Sequence, residues 1–457
     1  MVVAQSPVTL AIGPGSPGLA IPEDFSGFSF ESGSLRYNHY RTNAYFFDSS
    51  DTRLLTLFRN LGIKSLRIGG NSVDHGFVPS TNDIDALFRF VKAADLKVIY
   101  SLRLANGDPL QDASIAKYVW DNYRPYLICV AIGNEPNSYN GLDHEITNSA
   151  SFIAKWNRFA SAVTGSVPDV KLGGVDNGNG SVTWASDFAQ AETGSPNVTC
   201  ILAHYEPGGT SRGKTAQQLI DEMLSPTCDT VKYPACYGKL GAMAKSHGLS
   251  YRFSEGNSHV ATPASVGGNH SFATALFALD YLHWWAAHGC QGVHFHTGMG
   301  GYNGALFPGT NGDYELYPIT YGIAAFNVGG HGTVNSVAIK NPDNLNLTAY
   351  AVTDSNNDLL VTIINKEHGA SARDGIVTIN AHGKPGSVMY LKVPNNDVTN
   401  TAGVTLGGAT MDDNSQWQGR WSSLDSANNA GSMIKVEASS AAIVKFTKAG
   451  ILAQAKW

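Results

Sequence analysis

The chain has 457 residues, 43% hydrophobic and 15% charged, with 49 glycines. That is enough apolar content for a large core and more than one domain, and the glycines point to loops and strands rather than a helical bundle. A net charge of −6 with no basic run argues against nucleic acid and anionic membrane as partners, and no apolar run approaches the ~20 residues that span a bilayer.

In chain order, residues 7–13 (PVTLAIG) read as one short strand, after which Gly and Pro break the chain. A rhythm then begins. DFSGFSFES (24–32) reads as a strand, and DTRLLTLFRNLG (51–62) as a helix closed by Gly62. KSLRIGG (64–70) is a strand, and 82–96 a helix with Asn82 as its expected cap. LKVIYSLRL (96–104) is a strand, and 113–127 a helix. The run from Tyr126 to Ile132 is the fourth strand and leads into IGNEPN, with Glu135 at its centre. Helix 152–163 follows, with Phe152, Trp156, Phe159 and Val163 on one stripe. VKLGGVDN (170–177), VTCILAHYEP (198–207), LSYRFSEGN (249–257) and QGVHFHTG (291–298) are strands five to eight, separated by helical patterns at 181–192, 214–224, 236–247 and 269–289; a last helix spans 319–328.

Eight strands alternating with helices over roughly 300 residues predict a (β/α)8 TIM barrel. The rival, an open doubly wound sheet, lacks its Gly-rich phosphate turn, since GFSFESGS is not G-x-G-x-x-G. Beyond about residue 330 the period becomes two, with Asn-Asn and Gly turns, which predicts an antiparallel β-sandwich. The strand at 7–13 has no helix partner and is expected to join it. The expected division is a catalytic barrel over 20–330 and a discontinuous sandwich of 1–19 and 331–457.

Of five cysteines, Cys228 and Cys236 lie close together in a Pro-containing loop and suggest a local disulfide, while Cys129, Cys200 and Cys290 fit buried thiols. No spacing suggests a zinc cage. Sequons at Asn179, Asn197, Asn269 and Asn346 are compatible with secretion. The opening MVVAQSPVTL lacks a basic n-region and a long h-region, which leaves a cytosolic chain or a secreted one whose signal peptide was removed and Met1 added; the second is the expectation.

In a barrel, the C-terminal strand ends converge on one site. Glu135 follows strand four and Glu255 ends strand seven. Two carboxylates across one pocket suit glycoside cleavage: one protonates the leaving oxygen, the other attacks the anomeric carbon or activates water. A separation of about 5–5.5 Å would make the enzyme retaining. A lone Glu would read as a surface or salt-bridge residue; the pairing at two strand tips is what carries the chemistry. His294 and His296 alternate on strand eight and point into the barrel as polar filling, with His296 near the substrate position. The cluster of Tyr281, Trp284 and Trp285 reads as helix-to-barrel packing. Trp417 and Trp421 read as an edge cluster on a sandwich loop.

Asn-Glu after strand four with Glu after strand seven resembles the large clan of retaining (β/α)8 glycosidases. Within it, GFSFES (Glu31), LRIGGNSVD (Asp74), AIGNEPN, AHYEP (Tyr205), SEGNS and GVHFHTG with Tyr302 just after it most resemble glycoside hydrolase family 79, the β-glucuronidases and heparanases. The resemblance implies that Glu135 is the acid/base and Glu255 the nucleophile. Asn134 would bond the sugar hydroxyl beside the anomeric carbon, Tyr205 would orient the nucleophile, and Glu31 and Asp74 would accept sugar hydroxyls. Tyr205 as a buried phenol satisfied by backbone, and Asp74 as a loop cap, are the bland readings. Tyr302, with the backbone amides of the Gly-rich stretch HTGMGGYNG, would hold a uronate carboxylate. Val260 stands where family members that bind glucuronate often carry Tyr, which leaves a β-glucoside or β-xyloside open. The resulting expectation is a retaining exo-acting β-glucuronidase with a carbohydrate partner, no cofactor, no metal and a monomeric state. An endo-acting heparanase-like hydrolase and a non-catalytic sugar-binding protein are the rivals.

Overall fold

The computed structural model describes residues 6–40, 43–178, 182–262, 266–298, 304–309, 312–380, 386–424 and 432–447. The N-terminal strand β1 (Val8–Ala20) precedes eight parallel strands: β2 (Ser26–Glu31), β3 (Ser65–Gly69), β4 (Lys97–Leu102), β5 (Leu127–Ile132), β6 (Leu172–Asn177), β7 (Val198–Tyr205), β8 (Ser250–Gly256) and β9 (Val293–His296). Each pairs with the next, and β9 pairs back with β2 to close a barrel. Every residue of β3 and β6 is buried. One face fills the barrel and the other meets helices, so both faces of these strands are covered, even in β3, where Ser65 and Arg67 alternate with Leu66 and Ile68.

Several of the helices begin where a side chain satisfies their free backbone amides. Thr52–Leu61 is capped by Asp51, whose carboxylate accepts from the amides of Arg53 and Leu54, and stops at Gly62 in the left-handed region (φ 69°). Thr81–Ala94 is capped by Ser80, not by Asn82: Ser80 forms a reciprocal box with Asp83, three residues on, and Asn82 already lies in the first turn, while Asp85, three residues after it, accepts from Tyr118 and Tyr123. Ala273–Ala287 is apolar on nearly every side because it is enclosed, with Trp285 fully buried edge-on to Phe253 at 4.6 Å.

After the hairpin β10 (Leu306–Pro308) and β11 (Tyr314–Leu316) come β12 (Thr333–Lys340), β13 (Leu347–Thr353), β14 (Leu359–Asn365), β15 (Gly375–Ile379), β16 (Gly386–Lys392), β17 (Thr405–Leu406), β18 (Ser422–Ser423), β19 (Ser432–Val436) and β20 (Ser440–Phe446). With β1 they make one ten-stranded sheet in the order β17-β16-β20-β14-β13-β12-β1-β15-β19, with β18 on β16. The N-terminal strand joins it as expected, antiparallel to β12 and parallel to β15, so the sheet is mixed. Leu10, Val361, Val377, Val436 and Val444 share one buried cluster. A single sheet therefore curls over itself and closes a sandwich-like core. Asp280, on the enclosed helix, ties the two parts: it accepts from Thr348 (2.6 Å) and Tyr350 (2.8 Å) on β13 and from the Lys366 ammonium (2.8 Å).

The expected Cys228–Cys236 disulfide is absent; all five cysteines are free. Residues 228–239 run as continuous helical turns. Eight residues of helix place the two Cα atoms roughly 10–12 Å apart, beyond the ~7 Å limit for bridging. Titration of the unfolded, unreduced protein with a thiol reagent is expected to count five thiols; three would show that a disulfide forms. Three of the four sequon asparagines lie within the described residues and are engaged or buried. Asn197 donates to the carbonyls of Pro168 and Val170, Asn346 donates to that of Leu224, and Asn269 is buried; Asn179 lies outside the described residues. Among the described residues no helix is long and apolar enough to cross a membrane.

Candidate active site

Parallel strands deliver their C-terminal residues to one face of the barrel, and there a buried ion network forms. Arg67 on β3 has no solvent exposure. Its Nη1 donates to Glu255 Oε2 (2.9 Å), and its Nη2 to Asn134 Oδ1 (2.7 Å) and Asp176 Oδ2 (2.5 Å). Asp176, at the end of β6, also accepts from His204 Nε2 (3.2 Å) and from the Ser254 hydroxyl. The guanidinium lies 3.5 Å from His204 Nε2, a like-charge approach offset by Asp176, which bonds both.

His204 brings the two expected catalytic carboxylates together. Its Nδ1 is 2.9 Å from Glu135 Oε1 and 4.0 Å from Glu255 Oε2, so those oxygens are at most 6.9 Å apart, the sum of the two distances, reached only if the three atoms were collinear. That bound, on one pair of oxygens, includes the retaining separation. Glu135 is held in the left-handed region (φ 48°, ψ 51°), which a non-glycine residue adopts at a cost of order 1 kcal/mol or more. Its amide donates to the Asp176 carbonyl (2.9 Å) and its carbonyl accepts from Ser138 (2.8 Å), which fixes the turn.

The two carboxylates sit in different fields. Burial opposes charge on Glu255, yet His296 (Nδ1 to Oε1, 3.4 Å), His204 and Arg67 outweigh it and hold its carboxyl well below the usual range. Burial likewise opposes charge on His204, but Glu255 and Asp176 raise its pKa well above that of free imidazole. His204 is therefore an imidazolium with both N–H groups engaged. Glu135 keeps 30% of its side chain accessible and Glu255 18%, so a substrate can reach both.

Of the other expected residues, Asn134 lies beside the pair, its amide nitrogen 3.2 Å from Asn71 Oδ1. Glu31 accepts from the amides of Asn71 (3.2 Å) and Ser72 (2.7 Å) at the site's edge. His296 touches Glu255, whereas His294 is buried and bonds the Phe253 carbonyl (3.1 Å). Tyr302 lies outside the described residues.

Two expectations fail. Asp74 is no sugar acceptor: it is buried, and its oxygens accept from the amides of Leu104, Ala105 and Asn134 and from the Tyr139 hydroxyl, at 2.8–2.9 Å. It anchors the loop that carries Asn134. Tyr205 does not orient Glu255: its hydroxyl donates to the Lys232 carbonyl (3.1 Å) and its ring stacks on Phe253. Arg67, His204 and His296 position Glu255 instead. Val260, 47% exposed, ladders to the loop after β7 through Gly209 and Ser211. Sequence reading missed Arg67, Asp176 and His204. Arg67 had a signal, a charge inside a run buried on both faces.

No protein-family model and no curated protein sequence matches the chain. Among solved structures it is similar to a 4-O-α-L-rhamnosyl-β-D-glucuronidase from Fusarium oxysporum in complex with Rha-GlcA, with TM-score 0.74 and 16% identity over 95% of this chain and 99% of that one. It is also similar to a family 51 α-L-arabinofuranosidase from Bifidobacterium longum, with TM-score 0.70 and 15% identity over 96% and 100%. A monomeric β-xylosidase from Caulobacter crescentus gives TM-score 0.61 and 13% identity over 96% and 99%. These likenesses establish the fold class, a TIM barrel with a β-rich C-terminal domain.

Proposed function

We propose that the protein is a retaining glycoside hydrolase, exo-acting on terminal β-linked glucuronic acid. The observation that carries the reading is the pair Glu135 and Glu255, within 6.9 Å at the barrel mouth, with Glu255 kept ionised by three cationic neighbours. Glu255 attacks the anomeric carbon as Glu135 protonates the departing oxygen. Glu135 then takes a proton from water, which displaces Glu255 and restores the starting state. Asn134, fixed by Arg67 and by the hydrogen bond its backbone N–H donates to Asp74, is placed to bond the hydroxyl beside the anomeric carbon, a contact that strengthens as charge develops. The activities named for the structural neighbours, among them a glucuronidase, a xylosidase and arabinofuranosidases, agree with this chemistry.

A neutral β-glucoside or β-xyloside is the second reading, favoured by Val260, whose apolar side chain offers nothing to a carboxylate. Nitrophenyl β-glucuronide, β-glucoside and β-xyloside separate the two; turnover of the neutral glycosides alone would sink the uronate assignment. For Glu135→Ala, kcat is expected to fall roughly 10²–10⁴-fold. Azide, which needs no general base, should restore turnover and yield a β-glycosyl azide. An α-configured product would mean single displacement and end the retaining mechanism.

A further inference from the structure

The Glu135 carboxylate rests on a glycine. β6 ends at Asn177, and Gly178 is the buried first residue of the loop that follows. A Cβ on Gly178 would lie 2.8 Å from Glu135 Oε1, 2.9 Å from Glu135 Cδ and 3.2 Å from Ser138 Oγ. Carbon makes its best non-bonded contacts at about 3.5–4.0 Å, so no side chain fits while the carboxylate keeps its place. Backbone conformation does not demand this glycine, because its φ is not positive. What it supplies is room.

Two hydrogen bonds tie the loop to the turn that carries Glu135. The Glu135 amide donates to the Asp176 carbonyl (2.9 Å), and the Gly178 amide donates to Asn137 Oδ1 (2.8 Å). Residues 135–137 and 176–178 are thereby braced against each other. Oε1, the oxygen nearest Gly178, is also the one bonded to His204 Nδ1 (2.9 Å). Among the described residues no donor bonds Oε2, and the side chain stays partly accessible. One oxygen is fixed by protein and the other is left for substrate.

On the glycosidase reading, which this inference needs, we propose that Gly178 is a positioning residue for acid catalysis: its missing side chain seats the Glu135 carboxylate, so that Oε1 stays on His204 and Oε2 carries the proton to the departing oxygen. Glu255 is held from elsewhere, by Arg67 on β3 and His296 on β9. A methyl group on Gly178 therefore acts selectively. The carboxylate is the end of a flexible side chain and can swing aside at little cost to the fold. A misplacement of about 1 Å is nonetheless enough to lose on the order of 10²-fold in rate. The loss falls on proton delivery and spares nucleophilic attack.

The test is kcat/KM of Gly178→Ala and wild type on aryl β-glycosides of the accepted sugar, with leaving groups from dinitrophenol to phenol. This parameter reports the steps up to cleavage of the glycosidic bond. The expected loss is on the order of 10–10²-fold for the phenyl glycoside and under about threefold for the dinitrophenyl one, whose leaving group departs without a proton. A loss equal along the series, or none at all, overturns the proposal. The double variant Glu135→Ala/Gly178→Ala detects a merely structural effect. With no carboxylate to displace, the methyl should cost nothing beyond Glu135→Ala alone; the full single-variant loss added on top overturns the proposal. If Gly178→Ala does not fold, Asn137→Ala loosens the same seat without adding an atom. It should show the same leaving-group trend at smaller size, and a uniform loss overturns the proposal. A wild type that cleaves no aryl glycoside would end the glycosidase reading itself, which is distinct from cleavage without the trend.

Discussion

Glu255→Gln is expected to lower kcat/KM on the order of 10⁵-fold while the protein stays folded. That is about 7 kcal/mol of transition-state stabilisation, the scale of removing a nucleophile rather than a contact. The amide keeps nearly the shape of the carboxylate and can still accept from Arg67 Nη1, so the barrel mouth should hold its geometry. It cannot form the glycosyl-enzyme, because a neutral amide oxygen is a poor nucleophile and the amide a poor leaving group in the second step. Thermal unfolding checks the fold and steady-state kinetics check the rate. A variant that retains more than a tenth of wild-type turnover would remove Glu255 from the chemistry. Glu135→Ala should lose less on nitrophenyl substrates, since a good leaving group needs little protonation, so the two losses should differ in the order Glu255 over Glu135.

The barrel was legible because its strands are short runs closed by Gly, Pro or a polar cluster, and several helices carry start signals such as Asp51 and Ser80. Glu135 and Glu255 were legible because strand-end carboxylates in a barrel have one place to go. Tyr205 was misread for a local reason. The pairing of β7 with β8 shifts between Ala203 and His204, and an irregular step changes which side chains face inward. His204 takes the interior position, bonded to Glu135 and Asp176, and Tyr205 turns outward onto Phe253 and toward the Lys232 carbonyl. No periodicity in AHYEP announces that shift. Asp74 was misread because an acid after a strand looks like a ligand for substrate until its donors are counted, and those donors come from two other stretches of chain, 104–105 and 134–139. Asp176 and His204 are ordinary strand-end residues in the sequence. Their importance exists only once β3, β6, β7 and β8 close around Arg67.

Arg67→Met should cost about 3–5 kcal/mol of stability, because a fully buried cation is removed while Asp176 and Glu255 stay behind it. Methionine fills much of the volume, so the loss should track charge rather than a cavity. Glu255 and Asp176 both have folded-state pKa values below their ordinary ones. The stability they lend is present above the ordinary carboxylate range, near 4, and is lost as pH falls through the folded values. Without Arg67 both folded values rise, so acid unfolding should begin at a higher pH than in the wild type. Activity should follow the same direction. The acidic limb of kcat/KM, set by ionisation of the nucleophile, moves up in pH, and the plateau falls on the order of 10²–10³-fold. Arg67→Lys separates charge from geometry. An ammonium restores one positive charge but cannot reach Glu255, Asn134 and Asp176 from one planar fork. It should recover part of the acid stability and little of the rate, because Asn134 and Glu255 lose their shared brace. An acidic limb that stays where it was in Arg67→Met would mean that His296 and His204 alone keep Glu255 ionised, and Arg67 would then be a prop for Asn134 and Asp176 only.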